Sequence, residues 1–363
     1  MMERAAPGTP KCRVATPALL LDLAAVERNI AKMAALFAGS PCGLRPHAKT
    51  HKLPLIARRQ MEAGAVGITC ATVGEAEVFL DAGIPSVLIA NEVVGKEKID
   101  CLVRLSARGE LIVCVDDPAN ALEISLAALR AGTRVNVLVE VNVGLDRCGV
   151  LPGNPALELV RTLSSLEGLV FRGIMGYEGG LFTHDQAEKE RRCAQANRLL
   201  VDTASLLERG GHPPGIVTAG GSNTFGLTGI CPGITDVQVG SYVTMDLHNR
   251  TFGIDFEQAV TVLATVISRP EKYRAVTDTG KKSVSTDEGL PACTRPGVSV
   301  SRLNEEHGIL AVEDGAAALA VGDTIELIPA HGCTTIPLYD HYVALRDGIV
   351  EEILPILCRG TPH

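Results

Sequence analysis

Apolar positions along this chain alternate between two periods. Short runs rich in β-branched and aliphatic residues, bounded by Gly, Pro, Asn or Asp, fall at 44–50, 67–71, 86–91, 110–116, 135–142, 169–177, 215–220 and 236–242, and such runs read as strands. Five of the seven intervals between them show the 3.6-residue spacing of amphipathic helices. "LPLIARRQMEAG" (53–64) gathers Leu53, Leu55, Ile56 and Met61 and ends on Gly64, which suits a left-handed C-cap. "TVGEAEVFLDAG" (72–83) opens on Thr72 with Glu75 three residues on, the pair of a capping box. "DPANALEISLAALRAG" (117–132) sets Asp117 before Pro118 and closes on Gly132. Residues 185–210 predict the longest helix. Repeated strand–helix units imply parallel pairing through right-handed crossovers, and eight of them predict an α/β fold, a closed (β/α)8 TIM-type barrel. An open, doubly wound sheet is the rival arrangement.

Past residue 246 the helical period fades. Strand-like runs such as "AVTVLATVISRP", "GILAV" and "DTIELIPAHG" follow, and Asp347-Gly348 between two more reads as a hairpin turn. The expected division is a barrel over 15–246 and a β-rich domain built from 1–14 and 247–363, which 363 residues can accommodate.

Composition narrows the partners. Net charge is -8 with no block of like charges, which argues against nucleic acid. Tryptophan is absent and aromatics are 3%, so stacking on bases or sugars is not expected. No apolar run is long enough to span a bilayer, and residues 1–14 lack the apolar core of a signal peptide. Of eleven cysteines, Cys42, Cys70, Cys114 and Cys148 lie in apolar or strand-like runs. They read as reduced, buried thiols of a cytoplasmic protein.

Chemistry in such a barrel gathers where strands end. "LRPHAKTHK" (44–52) puts Lys49 at the end of the first strand, with His47 just before it. Among apolar walls an ammonium loses hydration and the neutral, nucleophilic amine is favoured; alternatively Lys49 and Lys52 are rim lysines on the surface. "TAGGSNT" (218–224) follows the seventh strand. Gly220 and Gly221 let backbone approach a ligand and Ser222 and Thr224 add hydroxyls, the makings of a phosphate nest or of a plain turn. "GLDRCG" (144–149) presents Arg147 to the mouth, or pairs it with Glu140 or Asp146. "GYEGG" (176–180) offers Tyr177 and Glu178 as acid/base groups, and "QVGSY" (238–242) offers Gln238 and Tyr242. In "PAHGCTT" (329–335), His331 and Cys333 would share one face of a strand and suit a borderline-soft divalent metal, zinc first, in an open site.

Together, "RPHAKTHK", "GLDRCG", "GYEGG", "TAGGSNT", "QVGSYVTMD", "NEEHG" (304–308) and "HGCTTIPLYD" (331–340) resemble the D-threonine aldolase / D-serine dehydratase family of alanine racemase-like, fold type III pyridoxal phosphate (PLP) enzymes, in that family's order and over nearly the whole chain. The resemblance implies a PLP- and metal-dependent lyase of D-3-hydroxy amino acids, homodimeric, with active sites shared between subunits. It implies Lys49 as the residue joined to PLP, Arg147 beside the ring, and Tyr177 near the substrate. The expected cofactor-binding set is His47, Lys49, Arg147, Tyr177, Gly220, Gly221, Ser222, Asn223, Thr224, Gln238, Gly240, Ser241 and Tyr242. The metal ligands would be His331 and Cys333, with zinc as the ion and manganese or cobalt as alternatives.

Two reactions fit that machinery: loss of water to a keto acid and ammonia, or cleavage to glycine and an aldehyde. Family dehydratases tend to show H-x-C at the metal and aldolases H-x-D, so His331-Gly332-Cys333 inclines the reading to dehydration of D-serine or D-threo-3-hydroxyaspartate. Glu178 stands where several aldolases place a histidine, a departure that leaves an aldolase-specific base without its residue. A metal-independent racemase would leave His331 and Cys333 unused. A non-catalytic PLP carrier would not need residues 250–363.

Overall fold

The computed structural model describes residues 5–316 and 318–361. Its contacts divide the chain into two compact units, one made mainly of Met33–Lys49 and Pro54–Gly240, the other of residues up to Lys32, Thr50–Leu53 and Ser241–Arg359.

In chain order, β1 (Ala18–Asp22) and α1 (Leu23–Phe37) come first. The strands of the larger unit follow: β2 (Gly43–Leu44), β3 (Ile68–Cys70), β4 (Ser86–Glu92), β5 (Glu110–Val115), β6 (Val135–Val141), β7 (Leu169–Gly176), β8 (Ile216–Ala219) and β9 (Asp236–Val237). All eight pair in parallel in the order β2-β9-β8-β7-β6-β5-β4-β3. The two ends of that order meet. Thr69 N–H donates to the Pro46 carbonyl at 2.8 Å and Ala48 N–H to the Thr69 carbonyl at 2.7 Å. An open sheet would leave both end strands unpaired, so the closed barrel is the fold and the doubly wound alternative is excluded.

The crossover helices are α2 (Pro54–Glu62), α3 (Val73–Asp81), α4 (Lys96–Leu105), α5 (Pro118–Arg130), α6 (Asn154–Ser164) and α7 (Gln186–Arg209); the short α8 (Phe225–Thr228) follows β8. Their starts follow sequence chemistry. Thr72 accepts from Glu75 N–H, Asp117 from Ala119 and Asn120 N–H, and Asp185 from Glu188 N–H. The Glu75 carboxylate reaches Ala71 N–H at 2.7 Å, one residue earlier than a capping box requires.

The barrel interior is layered by the two-residue period of its strands. Ser86, Leu88, Ala90 and Glu92 on β4 share one parity, as do Glu110, Ile112 and Cys114 on β5 and Asn136, Leu138 and Glu140 on β6. The middle layer is apolar, with Leu88, Ile112, Cys114, Leu138 and Met175 packed together. Near the N-terminal ends of the strands the layer is ionic. Arg45, 4% exposed, pairs with Asp236 at 3.4 Å and donates to Ser86 Oγ at 3.1 Å. Ser86 donates to Glu110 at 2.7 Å, and Glu110 pairs with Arg172 at 2.9 Å. Gly67 makes room for this network, since a Cβ there would stand 2.2 Å from Arg45 Nη1.

The other unit is antiparallel except for one pair. β10 (Val260–Glu271), β11 (Arg274–Thr277), β12 (Ala292–Cys293), β13 (Val298–Leu303), β14 (Gly308–Val312), β15 (Thr324–Ile328), β16 (His341–Arg346) and β17 (Ile349–Pro355) join β1 in the order β13-β14-β11-β10-β1-β16-β17, with β15 on β10 and β12 on β15. β1 runs antiparallel to β10 and parallel to β16. Residues 15–32 were expected in the barrel, but these ladders hold them in the β unit, and the division after the barrel falls at Gly240 instead of residue 246. The apolar run Leu19–Leu21 is a central strand there, buried on both faces. Residues 8–11 bond to Gly348 and Val350, and Asp347 and Gly348 take the positive φ values (51° and 75°) of a type I′ turn. Among the described residues no helix is long and apolar enough to cross a membrane, and all eleven cysteines are free thiols.

Replacing Arg45 by Met should destabilise the protein by roughly 3–5 kcal/mol, because Asp236 would remain as a buried charge without its guanidinium. Denaturant unfolding measures the loss. Arg45→Met combined with Asp236→Leu should recover much of it; no recovery would mean the pair is not the source.

Candidate active site

Lys49 closes the barrel unit's first segment. His47 N–H donates to the Val239 carbonyl at 2.8 Å on one side, and Ala48 N–H to Thr69 on the other. The backbone is held along both edges up to the lysine, whose side chain is half-buried. His47 Nδ1 lies 3.4 Å from Lys49 N–H.

Across the barrel unit, Arg147 and Tyr177 stack, with the guanidinium carbon 5.6 Å from the ring centroid. Arg147 also lies 3.7 Å from the Glu140 carboxylate. Asp146 is engaged elsewhere, bonded by Asn142 Nδ2 at 2.9 Å, so of the two pairings open from sequence the one with Glu140 forms. Glu140, 4% exposed, stands with Glu92 and Cys148 in a cluster whose ligand atoms lie within 4.8 Å of one another. Burial first, then the charge of Glu92, holds the Glu140 carboxyl well above the usual carboxylate range. Burial and the same carboxylates push the Cys148 thiol up to about 11. The sequence offered Glu140 only as a partner for Arg147 and did not single out Glu92; Glu92 ends β4 and Glu140 is the next-to-last residue of β6.

Glu178 departs from the acid/base role offered by its sequence position. It is 4% exposed, and its carboxylate accepts from Gly220 N–H at 3.2 Å and from the hydroxyls of Thr224 and Thr228. It anchors the 218–224 loop from within. Gly221 N–H turns to Thr224 Oγ1 at 3.1 Å, so both glycine amides serve the loop itself and the nest is left to its tip, Ser222 and Asn223. Ser222 Oγ accepts from Gly240 N–H at 3.3 Å. Asn223 donates to the Leu181 carbonyl and accepts from Lys189 Nζ at 2.6 Å. A Cβ on Gly221 would stand 3.1 Å from the Tyr177 ring, so a side chain there would press ring and loop apart by a few tenths of an ångström. Gln238 spends its amide on Thr218 Oγ1 at 3.1 Å. Ser241 and Tyr242 belong to the β unit, where Tyr242 packs edge-on to Phe256.

In the β unit, His331 and Cys333 do not lie on a strand as the sequence suggested. β15 ends at Ile328, and His331 caps the single turn α10 (Gly332–Thr335). The turn still sets the imidazole in hydrogen-bond contact with Cys333, which with Asp287 raises His331 to about 9. His331 Nδ1 meets Asp287 at 2.7 Å, leaving Nε2 as the ring nitrogen for another ligand. Asp246, which caps α9 (Leu247–Thr251), accepts from Gly332 N–H at 3.0 Å and fixes the start of the turn. Cys333 Sγ touches Thr50 Oγ1 at 3.1 Å, and Thr50 is the residue after Lys49. Asp287 carried no sequence signal, standing 44 positions before His331.

These features suit the groups the motifs imply. The glycine approach under Tyr177 and the amide-bearing loop tip fit an aromatic phosphate such as PLP. Imidazole plus thiol, with a carboxylate behind the imidazole, is a donor set for a divalent metal. The comparisons agree. Residues 21–248 match the family model "Alanine racemase, N-terminal domain", and residues 259–345 match "Putative serine dehydratase domain". A D-threonine aldolase from Arthrobacter sp. is 40% identical over 98% of this chain and 96% of its own. The chain therefore belongs to the D-threonine aldolase / D-serine dehydratase family of alanine racemase-like enzymes, PLP-dependent lyases of D-3-hydroxy amino acids. The crystal structure of D-threonine aldolase from Filomicrobium marinum superposes with a TM-score of 0.95 at 40% identity, covering 99% of this chain and 100% of that one. D-threo-3-hydroxyaspartate dehydratase from Delftia sp. HT23 gives 0.86 at 29% identity over 98% and 100%. Solved variants of a D-threo-3-hydroxyaspartate dehydratase replace a histidine and a cysteine two positions apart, the cysteine variant in a metal-free form.

Because Glu140 gains protons on folding, its ionisation opposes the folded state as pH rises from the ordinary carboxylate range through its raised value. Glu140→Gln should therefore melt progressively higher than wild type between pH 5 and pH 9, with the gap smallest at the acid end. Melting curves across that range read the trend, and a gap independent of pH would mean Glu140 is ionised throughout.

Proposed function

We propose that this protein cleaves D-3-hydroxy amino acids between Cα and Cβ to glycine and an aldehyde, with Lys49 joined to PLP and a divalent metal on His331 and Cys333. The choice of cleavage rests on one observation: identity is 40% with D-threonine aldolases against 29–32% with the D-threo-3-hydroxyaspartate dehydratase, and the TM-score is 0.95 against 0.86. When bound, PLP takes up the electron pair left at Cα once a bond to that carbon breaks. The chain's residues do the rest. Arg147, held between Tyr177 and Glu140, would lie beside the cofactor ring. Tyr177 covers the loop that would receive the phosphate, with the Ser222 hydroxyl and the backbone amides of Ser222 and Asn223 as its donors. His331 Nε2 and Cys333 Sγ would hold a metal that acts as a Lewis acid toward the 3-hydroxyl, and Asp287 fixes the imidazole.

In cleavage the 3-hydroxyl loses its proton, the Cα–Cβ pair stays on Cα, and Cα is then protonated. Dehydration is the second reading, favoured by the His331-Gly332-Cys333 pair: the proton leaves Cα and hydroxide leaves Cβ. Thiolate with imidazole fits zinc ahead of manganese or cobalt. The eleven free thiols suit a reducing cytoplasm, and a homodimer with shared sites accords with the family resemblance; light scattering at micromolar protein tests the latter.

Lys49→Ala should abolish the yellow colour that the wild type acquires with PLP; a variant that colours normally would remove the lysine from its role. Product analysis on D-threonine and D-3-hydroxyaspartate decides the reaction. Glycine with an aldehyde is expected, and a keto acid with ammonia would establish dehydration. Excess chelator should stop turnover and leave the colour, whereas full activity in chelator would exclude the metal.

A further inference from the structure

Lys189 is an unusual lysine. It is 8% exposed, on the first turn of the 24-residue α7, and its ammonium is bonded to a neutral amide oxygen, Asn223 Oδ1, at 2.6 Å. Among the described residues no carboxylate pairs with it, and burial lowers its pKa. Two effects oppose a cation there. Removing an ammonium from water without an anion is unfavourable, and the N-terminal turn of a helix carries positive partial charge, which repels a second cation. Its one polar contact lies in the 218–224 loop. Asn223 is oriented at both ends, oxygen to Lys189 and amide to the Leu181 carbonyl. On the loop's inner side the anion Glu178 is saturated by Gly220 N–H and two hydroxyls. The loop is thus built from behind by one satisfied anion and one unsatisfied cation.

We propose that Lys189 is the counter-cation and positioning residue for the phosphate group of PLP, acting through Asn223. This rests on the reading of 218–224 as the phosphate loop. Lys189 gives the loop tip a positive potential and fixes the Asn223 side chain, so that the loop's donors face the dianion without rearranging. The cost of the buried ammonium is offset when the phosphate arrives. Cofactor-free protein should therefore be strained at Lys189 and loaded protein should not.

The test compares PLP with pyridoxal, which has the same ring and aldehyde and no phosphate, on full-length wild type, Lys189→Met and Lys189→Gln freed of cofactor. The readouts are equilibrium binding followed by colour and the melting temperature of cofactor-free protein. Lys189→Met should bind PLP roughly tenfold or more weakly, the scale of a lost charge-assisted contact. Its pyridoxal affinity should stay within about twofold, and its cofactor-free form should melt at or above wild type. Lys189→Gln, which keeps a donor for Asn223 and loses the charge, should behave like Met. Equal losses for PLP and pyridoxal, unchanged PLP affinity, or full rescue by Gln would each overturn the proposal and leave Lys189 as a tether. Wild-type protein that binds neither compound would instead overturn the assignment of PLP itself.

Discussion

The closing of the barrel fixes where its chemistry can be. Eight parallel strands leave no edge only if one segment bonds on both sides, and residues 43–48 are that segment. Their amides reach Val239 on one neighbour and Thr69 on the other. The chain leaves the barrel unit immediately afterwards, at Thr50. Lys49 is therefore the last residue whose position the ladder dictates, and a flexible four-carbon amine gains a rigid root. A lysine one residue later would start from the other unit.

Charge inside such a cylinder has to be placed where it can be compensated. The strand period does the placing, because inward positions recur every second residue. On β4, β5 and β6 that parity carries polar groups at the first turn of the strand, then aliphatic ones, and acids again at the C-terminal ends of β4 and β6. The lower ionic layer is self-sufficient, since Arg45, Asp236, Ser86, Glu110 and Arg172 answer one another. The upper layer is not. Glu92 and Glu140 crowd together with one guanidinium nearby, and on the crossover helix α7 Lys189 faces only an amide oxygen. Compensation completed within the protein builds stability, while compensation left open marks where a ligand with its own charge belongs.

Much of this was legible in the sequence. The eight strands were readable because their runs are continuous and apolar, as a sheet covered on both faces requires. Thr72, Asp117 and Gly132 announced helix ends by local chemistry alone. The strand Ala18–Asp22 was missed for the same reason the others were found: its run is apolar, and nothing in five residues says whether their partners are parallel barrel neighbours or β10 and β16, more than 200 positions away. His331 and Cys333 were read as strand neighbours because a spacing of two fits a strand, yet "HGCTT" caps and starts a helical turn, and their contact depends on Asp246 bonding to Gly332.

The least legible feature was the division of labour among acids. Glu178 follows Tyr177 at a strand end and looked like a catalytic group facing the mouth. β7 ends at Gly176, so no strand period directs either side chain, and Glu178 turns under the 218–224 loop, where it is buried with three donors. Asp287 acts in the opposite sense, reaching His331 from a region without any motif. Motif reading finds the residues that would touch a ligand, because their types are chemically unusual. The residues that aim them are ordinary acids and amides, distinguishable only once burial and hydrogen-bond partners are known. Lys189 belongs to that second group, and only its 8% exposure sets it apart from the surface lysines of any helix.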